Sequence, residues 1–176
     1  GTPPTRIGMS IGDIGSGLYA TIGVQAALFH RQLTGEATKV DIGMLDCQLA
    51  LLENAVMRYQ VSGTAPGPLG ARHPSITPFE AYKTKDGYII ISAGNDGLFA
   101  KLAEALENPG WAEDPDYSSN DNRNKHVEKL KIEMESVLTT HTTSHWIEVL
   151  DKFGVPSGPI NDIGPVSYTH LRAHET

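Results

Sequence analysis

Residues 62–78, SGTAPGPLGARHPSITP, hold three glycines and four prolines. Such a run continues neither a helix nor a central strand, because proline lacks a backbone N–H and glycine lacks conformational bias. It is too long and too rich in turn residues for a tight connection, so it is a linker or a functional loop. The chain of 176 residues is one ordinary domain or pieces of two. We divide it into residues 1–62, a loop at 63–78, a second part at 79–164 and a tail at 165–176.

In the first part, residues 18–33 place Leu18, Ile22, Ala26 and Phe29 at helical spacing, and Gly35 is a plausible stop. Val40, Ile42 and Met44 alternate with Lys39, Asp41 and Gly43, which predicts a short strand. Asp46 is placed to cap a second helix with Leu49, Leu52, Val56 and Tyr59 on one face, ended by Gly63. Helix, strand, helix is the beginning of an α/β layer.

In the second part, Phe79–Thr84 and Tyr88–Ser92 flank Lys85-Asp86-Gly87, a hairpin signal. Asn95 can cap a helix carrying Leu98, Phe99, Leu102 and Leu106, ended by Asn108-Pro109-Gly110. Residues 111–122 read as a polar loop. Val127, Leu130, Met134, Val137 and Leu138 mark another helix. Ser144 is placed to cap a last one with Trp146, Val149, Leu150 and Phe153, stopped by Gly154 before a rigid loop at 155–159. The fold class is α/β followed by a smaller α+β domain. The expected apolar centre of residues 79–160 comprises Phe79, Ile90, Leu98, Leu102, Leu130, Trp146 and Leu150.

A net charge of −7 argues against nucleic acid or an anionic membrane as the main partner. The apolar runs are far shorter than a membrane helix needs. One cysteine, Cys47, cannot form an internal disulfide and suits a reducing cytoplasm. The chain opens at Gly1, without methionine. The last dozen residues, from Pro165, resemble an in-frame translation of a transposase sequencing adapter. We therefore expect truncation at both ends and residues 165–176 packed against nothing.

The chemistry concentrates at Ser10-Ile11-Gly12-Asp13-Ile14-Gly15-Ser16-Gly17. Asp13 lies between glycines ahead of an apolar helix, where the positive helix end favours a carboxylate and small neighbours let a ligand approach. That seat suits a carboxylate nucleophile; on spacing alone, a helix cap beside a glycine turn is the simpler reading. The glycines at 12, 15 and 17 do not form a dinucleotide fingerprint. Arg72-His73-Pro74 reads either as a loop covering a ligand or as a linker with a capping arginine.

His141 and His145 have i, i+4 spacing but no third ligand, so a polar helix start is simpler. No metal is expected. Cys47 and Trp146 read as packing, and Lys129, Lys131, Glu133 and Glu135 as a solvated helix face.

Ile11-Gly12-Asp13, Gly17-Leu-Tyr-Ala20, Thr34-Gly-Glu36 and Val40-Asp-Ile-Gly-Met-Leu-Asp46 resemble the class III CoA-transferases. So do Gly70-Ala-Arg-His-Pro74, Pro78–Gly87, Gly94–Phe99 and Gly154–Ile160, in the family's order. The family includes formyl-CoA:oxalate and carnitine CoA-transferases and α-methylacyl-CoA racemase. The Arg-His-Pro and Asn-Asp-x-Leu-Phe segments are most similar to acetyl-CoA:oxalate transferases.

The resemblance implies a partial Rossmann-like, CoA-binding large domain followed by the small domain. It implies Asp13 as nucleophile, passing through an aspartyl anhydride and an aspartyl-CoA thioester. Gly12, Gly70, Ala71, Arg72 and His73 are the implied substrate and CoA contacts, with other CoA contacts upstream. The resemblance further implies that the acyl-CoA is a substrate rather than a resident cofactor, that the acceptor is a small carboxylic acid such as oxalate, and that the intact protein is an interlocked homodimer. The rival readings are a racemase of the same family and a non-catalytic assembly protein.

Overall fold

The computed structural model describes residues 6–52 and 54–164. The expectation for 165–176 lies outside the described residues. The chain divides into two compact units, residues 1–68 and 69–176. The division falls inside the glycine- and proline-rich run.

In the first unit, α1 spans Ile11–Thr34, α2 Met44–Ala50 and α3 Asn54–Ser62. The helix expected from residue 18 starts seven residues earlier. Its glycines lower local helix propensity, but Gly12 and Gly15 let neighbouring side chains in. A methyl group on Gly12 would meet the Gln48 side chain at 3.2 Å, and one on Gly15 would meet Leu51 Cδ1 at 2.7 Å. Gly35, at φ 79°, ends α1 by donating its N–H to the Arg31 carbonyl at 2.8 Å.

The strand expected at 40–44 does not form. Residues 36–43 are irregular, since no strand among the described residues lies beside them to satisfy an extended backbone. Instead Val40 packs against α1 at Gly23. The single helix expected from Asp46 is divided into α2 and α3. Gly43 is its N-cap, and Asp46 sits in the first turn, where the positive helix end favours it. Gly63, at φ 68°, follows α3 and bonds back to Tyr59 O.

The second unit is an antiparallel sheet packed by helices. β1 (Phe79–Lys83) pairs with β2 (Tyr88–Ser92) around the Asp86-Gly87 turn, and β2 pairs with β3 (Ser157–Pro159). The segment expected as a rigid loop thus supplies a third strand; proline at its end is tolerated because β3 is an edge. The helices are α4 (Asp96–Ala105), α5 (Asn120–Lys125), α6 (Val127–Leu138) and α7 (Thr143–Lys152). A 3₁₀ turn follows α4 at Pro109–Ala112.

Asn95 caps α4 by accepting from the Leu98 N–H at 2.8 Å. Thr142, not Ser144, caps α7. Residues 111–122 are not wholly loop: Ser119 caps α5 by accepting from Asn122 N–H.

Leu102, Leu130, Trp146 and Leu150 lie in the core with Tyr82, Ile89, Ile91, Phe99, Leu106 and Met134, and Leu98 packs against them. Ile90 and Phe79 depart from expectation. Successive strand residues alternate faces. Tyr82 and Glu80 oppose Ile89 and Ile91 on the buried face, while Ile90 opposes Ala81 and Gly158 on the other. The expected solvated face of α6 is also partly engaged. Lys131 pairs with buried Glu80, and Glu135 Oε1 accepts from the Lys83 N–H at 3.0 Å.

Candidate functional site

Asp13 occupies the first turn of α1 rather than preceding it. Ser10 is the N-cap but makes no side-chain cap bond, so the helix leaves its N-terminal amides uncovered by a side chain. The Asp13 side chain is exposed and has no hydrogen bond or ion pair among the described residues. One turn on, no atom lies within 4 Å of where a Gly17 methyl would stand, so the surface beside the carboxylate is open. Ser16 does not compete for Asp13; its hydroxyl donates back to the Gly12 carbonyl at 2.7 Å. The arrangement presents an unpaired carboxylate oxygen next to helix-end amides, which suits attack on a carbonyl and stabilisation of the resulting oxyanion.

The second group of expected contacts lies in the other unit. Gly70 adopts φ 64°, a left-handed conformation that a side chain would strain. It lets the chain turn so that the Arg72 N–H donates to Leu69 O at 3.3 Å. Gly70 and Ala71 are exposed on this turn, and Arg72 is half-buried.

The Arg72 guanidinium has no hydrogen bond or ion pair among the described residues. It lies near the Tyr82 phenol. Burial pushes that phenol well up from its usual range, the Glu80 and Glu135 carboxylates add to this, and Arg72 opposes it. Arg72 is therefore a cation available to an anionic ligand.

His73 is committed to the chain. Its Nδ1 accepts from the Ser75 N–H at 3.2 Å and the Ile76 N–H at 3.1 Å. Two backbone donors on Nδ1 require that nitrogen unprotonated. Its ring stacks on Phe79, with centroids 5.3 Å apart, and the His73 backbone N–H donates to Phe79 O at 2.9 Å. Phe79 thus supports the turn rather than the core.

The structure brings Gly12 beside Asp13, and Gly70, Ala71, Arg72 and His73 into one turn. Sequence reasoning missed Asn120, Arg123 and Asn124, which bond to residues 75–77. Their signal was the Asn-Asp-Asn-Arg-Asn run, with two asparagines at i, i+4.

His141 precedes α7, so its spacing to His145 is not that of one helix. The two rings stack with centroids 4.2 Å apart beside Trp146, at a depression of about 560 Å³. Among the described residues, no group of three or more His, Cys, Asp or Glu could hold a metal. No described helix is long and apolar enough to cross a membrane.

The sequence pattern of CoA-transferase family III matches residues 1–176. The chain is 36% identical over 162 residues to acetyl-CoA:oxalate CoA-transferase of Acetobacter aceti, covering 92% of this chain and 42% of that protein. It is 37% identical over 165 residues to succinate–glutarate CoA-transferase of Agrobacterium fabrum, covering 91% and 40%. A CAIB/BAIF family protein from Brucella suis superposes with a TM-score of 0.78 at 36% identity, covering 94% of this chain and 44% of that one. Rv3272 from Mycobacterium tuberculosis superposes with a TM-score of 0.83 at 28% identity, covering 99% and 47%. The chain thus spans less than half the length of these relatives.

Proposed function

The chain belongs to CoA-transferase family III, and on that premise we propose that the whole protein moves coenzyme A from an acyl-CoA donor to a small carboxylic acid, with Asp13 as nucleophile. The observation that carries this reading is the Asp13 carboxylate itself. It is exposed, without a partner among the described residues, and set in the first turn of a helix that lacks a side-chain cap.

The chemistry is a chain of acyl exchanges that balances without a redox partner or a net proton. An Asp13 oxygen attacks the donor thioester carbonyl, the C–S bond breaks, and a mixed anhydride forms with CoA thiolate. The thiolate attacks the Asp13 carbonyl and expels the donor acid as its carboxylate, leaving an aspartyl-CoA thioester. The acceptor carboxylate attacks that thioester and again releases thiolate. The thiolate then attacks the acceptor carbonyl, giving acceptor acyl-CoA and restoring Asp13. Each tetrahedral intermediate places charge on an oxygen, and uncovered helix-end amides near Gly12 suit its stabilisation.

The acceptor is a small dicarboxylate, with oxalate as the compact case. Support comes from the relatives' names, which carry oxalate and glutarate, and from the free Arg72 guanidinium, suited to a second carboxylate. Gly70, Ala71 and His73 form the turn that delivers Arg72. In the whole protein α1–α3 belong to a larger Rossmann-like, CoA-binding domain of a cytoplasmic homodimer.

Asp13→Ala and Asp13→Asn abolish transfer alike while the fold persists. Acyl-CoA plus hydroxylamine converts Asp13 to a hydroxamate detectable by peptide mass, since both covalent intermediates are activated aspartyl carbonyls. Substantial transfer by Asp13→Asn, without deamidation back to aspartate, removes the nucleophile role. Racemisation of a 2-methylacyl-CoA without CoA exchange places the protein with the racemases.

A further inference from the structure

Three of the polar side chains of α5 bond to one loop. Asn120 Oδ1 accepts from the Thr77 N–H at 3.0 Å, and its Nδ2 donates to the Ser75 carbonyl at 2.9 Å. Asn124 Nδ2 donates to the same carbonyl at 2.8 Å, and its Oδ1 accepts from the Thr77 hydroxyl at 2.7 Å. Arg123 Nε donates to the Thr77 carbonyl at 2.8 Å.

Arg123 is fully buried. Its other nitrogens donate to Tyr117 O and Asp96 Oδ1, each at 2.8 Å, and its guanidinium lies 4.5 Å from the Phe99 ring centroid. Within the segment, His73 Nδ1 receives the Ser75 and Ile76 N–H groups. Ile76 presses so close to Gly94 that a methyl group there would meet it at 2.1 Å. The segment from His73 to Thr77 is thereby held by bonds from α5, by His73 within it and by packing at Gly94.

We propose that Asn120, Arg123 and Asn124 are positioning residues that lock residues 75–77 and, through His73, fix where Arg72 presents its guanidinium to an anionic substrate. The inference rests on the reading of the Arg72 turn as a substrate contact. Three features separate it from ordinary loop anchoring. Each asparagine uses both ends of its amide, which fixes orientation as well as distance. Asparagine is a poor helix former, so the composition of α5 does not serve the helix. The segment so held leads to a cation that has no hydrogen bond or ion pair of its own among the described residues.

The test is Asn124→Asp in the whole protein, read by amide hydrogen exchange and by steady-state transfer. The variant keeps the shape and the acceptor for Thr77, but sets a carboxylate oxygen against the Ser75 carbonyl. Exchange at Ser75 and Ile76 quickens ~10-fold or more, and kcat/KM falls ~10–100-fold, chiefly through KM for the acceptor. As pH falls and the new carboxyl gains a proton, it donates to Ser75 O and both effects shrink; the unsubstituted protein lacks this recovery.

Should this variant lose its fold, Asn124→Ala carries the first two readouts without added charge. Unchanged exchange at Ser75 and Ile76 overturns the clamp. Faster exchange with unchanged kcat/KM, where Arg72→Ala does lower it, overturns the positioning role. If Arg72→Ala leaves the acceptor KM unchanged, the substrate-contact reading of the turn fails and the positioning role fails with it, whatever the exchange shows.

Discussion

The two units carry apolar helices of similar pattern and use them differently. In residues 69–164, fifteen buried side chains form one cluster from the sheet, helices α4, α6 and α7, and the flanking residues Ala93, Leu106, Tyr117 and Val155. In the first unit, the buried positions of α1 and α2 are Gly15 and Cys47, while Leu18, Phe29 and Leu33 of α1 remain 61%, 63% and 70% exposed. Periodicity states that a face is to be covered; whether the same unit supplies the cover is a separate matter. Burial contributes about 25 cal/mol per Å² of apolar area, and the second unit gathers nearly all of it.

The difference can be broken by substitution. Leu130 is fully buried, so Leu130→Ala costs ~2–5 kcal/mol through lost contacts and a cavity. Leu28 of α1 is 57% exposed, and Leu28→Ala changes stability by less than ~0.5 kcal/mol. Urea unfolding followed by circular dichroism measures both. A large loss on Leu28→Ala, measured on this chain, contradicts the contrast.

Capping sharpens it on a smaller scale. Asn95→Ala removes a bond to Leu98 N–H and costs ~0.5–2 kcal/mol. Ser10 makes no such bond, so Ser10→Ala leaves the thermal midpoint nearly where it was.

The smallest effect is electrostatic. Asp86 in the hairpin turn accepts from the Thr143 N–H at 2.8 Å and from the Thr143 and Thr84 hydroxyls, tying the turn to α7. The Thr143 backbone bond, opposed by desolvation and aided by the hydroxyls, holds its carboxyl below the usual range. A folded value below the unfolded one means the stabilisation is present above the ordinary carboxyl range and lost as pH falls through the lowered value. Asp86→Asn therefore lowers the melting temperature at neutral pH, and the gap closes in acid. Asp41 pairs with exposed Lys39 at 3.4 Å, and Asp41→Asn moves the melting temperature little at neutral pH.

The candidate site was legible where its signal was local. Asp13 between glycines and the Gly70–His73 turn stand out in sequence because small residues and a lone carboxylate break the apolar pattern. Asn120, Arg123 and Asn124 were lost in an apparent polar loop. Their partners lie 43 to 49 residues away, and no local rule pairs an asparagine with a distant carbonyl.

The sequence by itself determined the periods and the punctuation: helices at 96–105 and 127–138, the hairpin at Asp86-Gly87, the stops at Gly35 and Gly154. These depend on backbone preference and on neighbours within one turn. Tertiary structure decided the rest. It set Ile89 and Ile91 inward rather than Ile90, added β3 beside β2, drew Lys131 to Glu80 and left Val40–Met44 without a strand partner among the described residues. Each of those outcomes turns on which distant segment arrives alongside, because a strand, a buried charge or a loop carbonyl is stable only once its partner is in place.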